Sequence, residues 1–576
     1  MTRKKLLCSA KMALLALFCL LYAEANAVNG TYHTARDVHG VIWYFDVVDG
    51  KAKIVGWKNT ETQTGLDENG LPYSEEVLHE TADKKLVVPV SVVSESDNIS
   101  YVVTSIANTG MDDTELANMQ IEEFSFENGS NAIMQHSLFK NAASLTRVLL
   151  DNYVGDNIPF SCFQGTSQLI YIRVNDGLTS IGEDAFQASG LQSIDLSSSS
   201  LTTIGYNAFG GCRSLSSVKF PTSLSTIGDL CFRYCGVLTS IDFSSTQVKS
   251  IPRECFHYCI SMKDVKLNDQ ITSIEGSAFK DCWVLETIEM PASLTSIGNT
   301  AFQNCKVLEK VVFKGLTPPT FTVNSFYATS ANPLFYVPVD CGKGYKDKLK
   351  AVDVKVGAST SIPATDQVRE QLTMSKYGYM SYYLENEDFV VPAGANAYVV
   401  IGKKTANGKL HADLQTYPAG KAVPAKTGFV LEALNNKSQV IDYEVDKTDV
   451  EVPVSGTSLM KGTAVEQTFS GENGTYYVLS SNPDGSGEIG FFYQKGQGGN
   501  AMTLKAHQAG LFIPKGTEAP AGIFTFGSDI YTGIDEPQDV TSGNAVSGEI
   551  HDLQGRKVTR PVAGIYIVNG KKVLIK

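Results

Sequence analysis

Few side chains in this chain are spaced for chemistry. Its eight histidines are His33, His39, His79, His136, His257, His411, His507 and His551, and none lies three or four residues from another. A helix-borne zinc site needs that spacing to bring two imidazoles to one face, so the sequence holds no local zinc motif. Two Ser-x-x-Lys segments, Ser277 to Lys280 and Ser458 to Lys461, share the short pattern of serine acyl-enzymes but lack its companion motifs. The first also sits in the phase of a core repeat through Phe279, so both read as coincidence. Gly496, Gly498 and Gly499 lack the lysine and helix of a phosphate loop. "DGSGE" (Asp484 to Glu488) reads as a hairpin loop between Leu479 and Ile489 rather than a calcium site. No catalytic residue, metal or cofactor is expected.

What does recur is phenylalanine, at Phe139, Phe163, Phe186, Phe209, Phe232, Phe256, Phe279, Phe302 and Phe326, with every gap 23 or 24 residues. Cys212, Cys235, Cys259, Cys282 and Cys305 follow three residues later. Leu145, Leu169, Leu215, Leu238, Met262, Leu285 and Leu308 come six after Phe, and Val148, Ile172, Val218, Ile241, Val265, Ile288 and Val311 come nine after. Isoleucine precedes the ring by five, at Ile181, Ile204, Ile227, Ile251, Ile274 and Ile297. Short β-branched runs bounded by turn residues read as strands. A period in the twenties is the signature of a leucine-rich-repeat solenoid, in which each repeat is one coil that must stack on its neighbours to bury its apolar side. Cysteine also alternates with alanine just before Phe (Cys162, Cys231 and Cys255 against Ala185, Ala208, Ala278 and Ala301), as a small hydrophobe would in a core slot. Structural thiols are therefore expected; a disulfide between adjacent rungs and a metal held by Cys231, Cys235, Cys255 and Cys259 near His257 are the alternatives.

The outward positions of the strand closing each coil form the candidate contact row: Arg147, Tyr171, Arg173, Asp195, Lys219, Asp242, Lys266 and Glu289. Basic and acidic residues nearly alternate along it. A solvated face in mutual charge balance is one reading and a partner-binding stripe the other, with Tyr171 and Arg173 as its best anchor.

"LTSIGEDAF" (Leu178 to Phe186), "LSTIGDLCF" (Leu224 to Phe232) and "LTSIGNTAF" (Leu294 to Phe302) resemble the consensus of the BspA-like leucine-rich-repeat surface proteins of Bacteroidota. The resemblance covers roughly residues 85 to 350. It implies an exported adhesion or ligand-binding protein whose partner is an extracellular-matrix or bacterial surface protein. A glycan-binding accessory role through residues 368–532 is the alternative.

The rest of the chain is consistent with export. Arg3, Lys4 and Lys5 precede an apolar run from Met12 to Tyr22 and then Ala25-Asn26-Ala27, the layout of a signal peptide cut after Ala27. After its removal no stretch reaches the length of a transmembrane helix. Net charge is −13 and no basic run lies outside the first residues, which argues against nucleic acid. The expected chain is mainly β and monomeric: signal peptide 1–27, N-terminal cap and degenerate first repeat 28–120, solenoid 121–350, linker 351–367, a β-sandwich-like accessory domain 368–532, and a C-terminal β module 533–576. The hairpin of Gly40 to Trp57 should turn at Asp49-Gly50. "VPAGANAYVV" (Val391 to Val400) and "AGLFIPKG" (Ala509 to Gly516) resemble an accessory β-domain of secreted Bacteroidota proteins. "DLQGR" (Asp552 to Arg556) and "GIYIVNGKK" (Gly564 to Lys572) resemble a type IX secretion sorting domain, which implies export across the outer membrane.

Overall fold

Nine phenylalanine rings lie face over face in one column. The computed structural model describes residues 32–515 except 38–40, 59, 67–71, 79–83, 109–120, 331, 358–361, 407–408, 435–439, 446, 448–451, 472–473, 482–488, 493 and 495–498, together with the strands Phe524–Phe526, Gln538–Val540, Ile550–His551, Gly564–Val568 and Lys571–Ile575. The N-terminal segment read as a signal peptide, the Asp484–Glu488 loop, the glycine turn at Gly496 and Gly498 and the "DLQGR" motif lie outside the described residues. Centroids of successive rings from Phe139 to Phe326 are 5.2–5.7 Å apart, with ring planes within 14° of parallel. Every one of these rings is buried. The protein is mainly β, and its repeat region is a β-solenoid of about 9 turns spaced about 24 residues apart.

Two columns of short parallel strands run beside the rings. In one, Val148 pairs with Ile172, Ile194 with Val218, Ile241 with Val265 and Ile288 with Val311. In the other, Ile181 lies between Ile158 and Ile204, and Ile274 between Ile251 and Ile297. In-register pairing of equivalent residues is what a fixed period demands, because any slip would turn the apolar side chains toward water.

The arc that carries each ring is held differently. Residues two before the ring (Asp184, Asn207, Leu230, Glu254, Ser277, Thr300) and two after it (Ala188, Gly211, Tyr234, Tyr258, Asp281, Asn304) have left-handed φ of 52–75°. That alternation aims every second N–H along the axis. Asn207, Phe209 and Gly211 donate to the carbonyls of Asp229, Cys231 and Arg233 in the next coil at 2.6–2.9 Å. The backbone thus pairs coil to coil without regular strand geometry. Glycine enters where coils touch: a Cβ on Gly228 would lie 2.4 Å from the Tyr206 nitrogen.

Both ends of the ring column are covered within the same unit. At the start, the hairpin Ile42–Val48 and Lys51–Lys58 turns through Asp49 and Gly50, both left-handed as a two-residue β-turn requires. Strand Lys51–Lys58 pairs with Ser100–Ile106, which in turn pairs with Ile133–Met134 and places Ile106 beside Met134 in the isoleucine column. Trp57 packs on Phe139 at 5.5 Å and Phe124 does so at 4.5 Å. At the far end Phe335 meets Phe326 at 4.9 Å.

The chain divides into two compact units, residues 1–336 with 345–367, and residues 337–344 with 368–576. Residues 351–367 contain the antiparallel pair Lys355–Val356 and Ile362–Pro363 and a short 3-10 turn at Ala364–Gln367, and they cluster with the first unit. In the second unit, one sheet runs Tyr379–Tyr382, Phe429–Ala433, Ala395–Ala406, Lys409–Pro418. Another runs Met460–Thr463, Gln508–Pro514, Gly474–Ser481, Ile489–Phe492, Phe524–Phe526. Tyr398, Val400 and Val430 from the first sheet share one core with Tyr477, Phe491 and Leu511 from the second. This is sandwich packing.

The second unit also buries acid. Glu370 accepts the N–H groups of Asp340, Cys341 and Gly342 at 2.9–3.0 Å and the Tyr443 hydroxyl at 2.5 Å. Glu387, 2% exposed, accepts Lys343 N–H at 2.6 Å. Burial and then neighbouring Glu370 push the Glu387 carboxyl far above the carboxylate range, so it stays protonated in the fold.

Two outcomes follow from the packing. Phe232→Ala should cost the first unit about 3–5 kcal/mol in denaturant unfolding, because it removes a ring between two neighbours and leaves a cavity. A loss under 1 kcal/mol would mean the rings do not form the spine. For Glu387 the folded pKa lies above the unfolded one of about 4.3, so stability is greatest below that pH and falls as pH rises and the unfolded chain ionises. Glu387→Gln, which mimics the protonated acid, should flatten the decline of the second unit's melting temperature between pH 5 and 9. An unchanged slope would show the proton is elsewhere.

Candidate interaction surface

The closing strand of each coil shows its alternate residues to solvent, as at Tyr171–Arg173 and Ser193–Asp195, where the middle residue is buried and its neighbours exposed. Parallel pairing then lines up equivalents: Arg147 beside Tyr171, Asp195 beside Lys219, Asp242 beside Lys266. The row read from the sequence therefore exists as two columns. Each of its charges has an opposite partner within the chain, on the row or beside it. Lys219 bonds Asp195 at 2.8 Å and Lys266 lies 3.5 Å from Asp242. Arg147 reaches Glu123 at 3.4 Å and lies 4.9 Å over the Tyr171 ring. Arg173 and Glu289 turn to partners off the row, Asp151 at 2.5 Å and Lys314 at 2.7 Å. Lys219, then Ser197, holds the Asp195 carboxyl down at about 2; Ser244 first and Lys266 after it lower Asp242. Exposed pairs of this kind contribute about 0–1 kcal/mol each.

A second surface escaped the sequence reading. It lies on the phenylalanine arc, one, two and four residues after the ring. Tyr234, Tyr258 and Trp283 come from three successive coils and meet edge to face at 5.5 and 5.4 Å. Arg233 caps the Tyr234 ring at 4.6 Å and Lys306 caps Trp283 at 4.3 Å. Beneath them His257 sits between Asp281 at 3.2 Å and Glu254 at 3.5 Å, and Glu254 also faces Arg233 and Arg253. Tyr234 and Tyr258 are both exposed. The signal was present in part: Tyr234 and Tyr258 both stand at Phe+2, a slot that the backbone holds left-handed.

The segments weighed for chemistry resolve into structure. Ser277 Oγ bonds Thr300 Oγ1 at 2.7 Å. Ser458 Oγ accepts the N–H of Met460, and Lys461 lies over Phe512. His33 meets Ser94 at 2.9 Å, Ser96 at 3.1 Å and Asp97 at 3.7 Å, all through Nδ1. A proton relay needs serine and carboxylate on opposite ring nitrogens, so this trio has no relay geometry. Among the described residues no group of three or more His, Cys, Asp or Glu is placed to hold a metal.

The ladder cysteines are free thiols with a polar task. Cys212, Cys235, Cys259, Cys282 and Cys305 each donate Sγ–H to the carbonyl of the phenylalanine one coil back, Phe186, Phe209, Phe232, Phe256 and Phe279, at 3.0–3.3 Å. Apart from Ala142, every coil places a small donor in this slot. Thr166 and Thr329 fill it elsewhere and bond their own coil's phenylalanine carbonyl. Burial raises every one of these thiols, Cys212 to about 11.

The family model described as BspA type Leucine rich repeat region matches residues 94–200, 132–247, 190–309 and 226–333. Together the matches span residues 94–333, the stretch over which this chain is similar to that family. Similar solved structures include a leucine-rich repeat protein from Bacteroides ovatus, 19% identical, covering 47% of this chain and 92% of that one at a TM-score of 0.22. A leucine rich cell surface protein from Faecalibacterium prausnitzii is 20% identical over 49% and 95%, with a TM-score of 0.20. A leucine-rich repeat protein from Eubacterium ventriosum is 16% identical over 58% and 92%, with a TM-score of 0.30. No curated protein matches the chain.

For a chain starting at residue 28, a thiol reagent at neutral pH should modify Cys341 first, since it is only half-buried. The eight buried thiols should react only after denaturant is added. Full modification of the native protein would contradict the packing.

Proposed function

We propose that this is an exported cell-surface or secreted protein that binds a protein partner, extracellular matrix or bacterial, through its leucine-rich-repeat solenoid. The observation that carries the reading is the solenoid itself, whose one continuous ring column holds broad strand and arc surfaces rigid while leaving their outer side chains in water. Rigid preformed surfaces lose little entropy on binding. Arg147 and Tyr171 at the start of the strand row supply a cation and an exposed ring, residue types enriched at binding hot spots.

Export rests on the basic and apolar N-terminal segment ending at Ala27, and on the tail. There Gly564–Val568 and Lys571–Ile575 form an antiparallel pair, flanked by Ile550–His551 and Gln538–Val540. That small sheet suits a sorting domain recognised as a folded module. No helix among the described residues is long and apolar enough to cross a membrane. We infer a non-catalytic role, because Ser277, Ser458 and Lys461 of the Ser-x-x-Lys segments are engaged in structural contacts.

The full chain should bind at least one matrix protein or co-resident bacterial surface saturably in a solid-phase assay. Deleting residues 533–576 should leave that binding intact while abolishing surface display in protease shaving. Uniform absence of binding across both panels would sink the adhesion reading, and unchanged display would sink the sorting role.

A further inference from the structure

The two faces of the solenoid differ in how their charges are settled. On the strand row each of Arg147, Arg173, Lys219 and Lys266 has a carboxylate partner supplied by the chain. On the phenylalanine arc the acids are already engaged, Glu254 by Arg233, Arg253 and His257, and Asp281 by His257 and Asn304. Among the described residues no carboxylate pairs with Lys280 or Lys306. A chain of net charge −13 thus keeps unneutralised cations beside an aromatic cluster in which Tyr234 and Tyr258 are exposed.

We propose that the arc formed by Arg233, Tyr234, Tyr258, Trp283 and Lys306 docks an acidic, apolar-bearing segment of a partner protein. This rests on the binding reading above and names the second surface through which it acts. Three features fix the chemistry. First, surplus positive charge on an acidic molecule selects carboxylates, both by steering and by contact. Second, one face of two of these rings is already taken by a cation. Arg233 covers Tyr234, Lys306 covers Trp283, and Tyr258 meets both neighbours edge-on at 63° and 69°. Nucleobases and sugar rings stack on open aromatic faces, and on Tyr234 and Trp283 a cation already holds one of them. Carboxylates reach the cations from the side, and apolar side chains pack against ring edges.

Third, buried nitrogens without a hydrogen-bond partner converge here: Arg233 Nε, His257 Nδ1 and Trp283 Nε1. Glu254 lies within ion-pair range of the first two but outside hydrogen-bond geometry, and Trp283 Nε1 has no hydrogen-bond acceptor. Unsatisfied donors are costly, so a partner that supplies acceptors as the caps shift gains more from this patch than from the self-neutralised row.

The test uses the full chain and a fluorescent twelve-residue peptide of alternating glutamate and leucine, read by anisotropy. A lysine–leucine peptide, a heparin fragment and single-stranded DNA serve as rival probes. The acidic peptide should bind with an affinity that falls as salt rises. Lys280→Glu/Lys306→Glu should weaken it at least tenfold, whereas Lys219→Glu/Lys266→Glu on the strand row should change it less than threefold. Lys306→Gln, which keeps the side-chain stem, should give an intermediate loss, and unchanged melting curves should show all variants folded. Equal loss from the strand-row variant, preference for heparin or DNA, or no binding of the acidic peptide would each overturn the proposal. Binding of a matrix protein that survives Lys280→Glu/Lys306→Glu would overturn it too, while leaving the adhesion reading standing.

Discussion

The repeat region depends on one constraint: each phenylalanine must sit squarely over the last. Ring planes within 14° of parallel along nine coils allow no freedom in the rise or rotation between neighbours. A ring is removed from water only by the coils on either side, so burial is shared rather than local. That explains why both ends of the column are closed by other aromatics, Trp57 and Phe124 at one and Phe335 at the other.

Holding the rings in phase sets demands on the backbone around them. The left-handed residues flanking each ring turn the chain sharply while still aiming N–H groups at the next coil. Leu230, Glu254 and Thr300 adopt this conformation although their side chains disfavour it. The coil-to-coil hydrogen bonds offset that local cost. Thiols complete the arrangement by satisfying phenylalanine carbonyls from the following coil. Because burial keeps them protonated, they serve as donors and not as nucleophiles.

The same regularity separates scaffold from contact. Inward positions repeat because stacking requires it, whereas outward positions are free to vary from coil to coil. On the strand side that freedom is spent on matched charges. On the arc side it yields an aromatic cluster framed by cations, and the asymmetry between these faces is where partner recognition is best sought.

The period, the ladder positions, the strand columns and the Asp49-Gly50 turn were legible in the sequence, because each follows from local spacing and from the need to bury one side of a coil. So was the charge row, although not its pairing: Arg173 and Glu289 turn to Asp151 and Lys314, choices that depend on loop geometry. Only the tertiary structure could bring Tyr234, Tyr258, Trp283 and Lys306 together. They stand 24 or so residues apart and share no motif, and they become neighbours because coil stacking converts sequence period into spatial contact. Nor could the sequence show that the cysteines donate to carbonyls one coil back, or that Glu370 and Glu387 lie buried side by side. Periodicity reveals which residues face inward; contacts between coils and between distant segments are decided by how the folded surfaces meet.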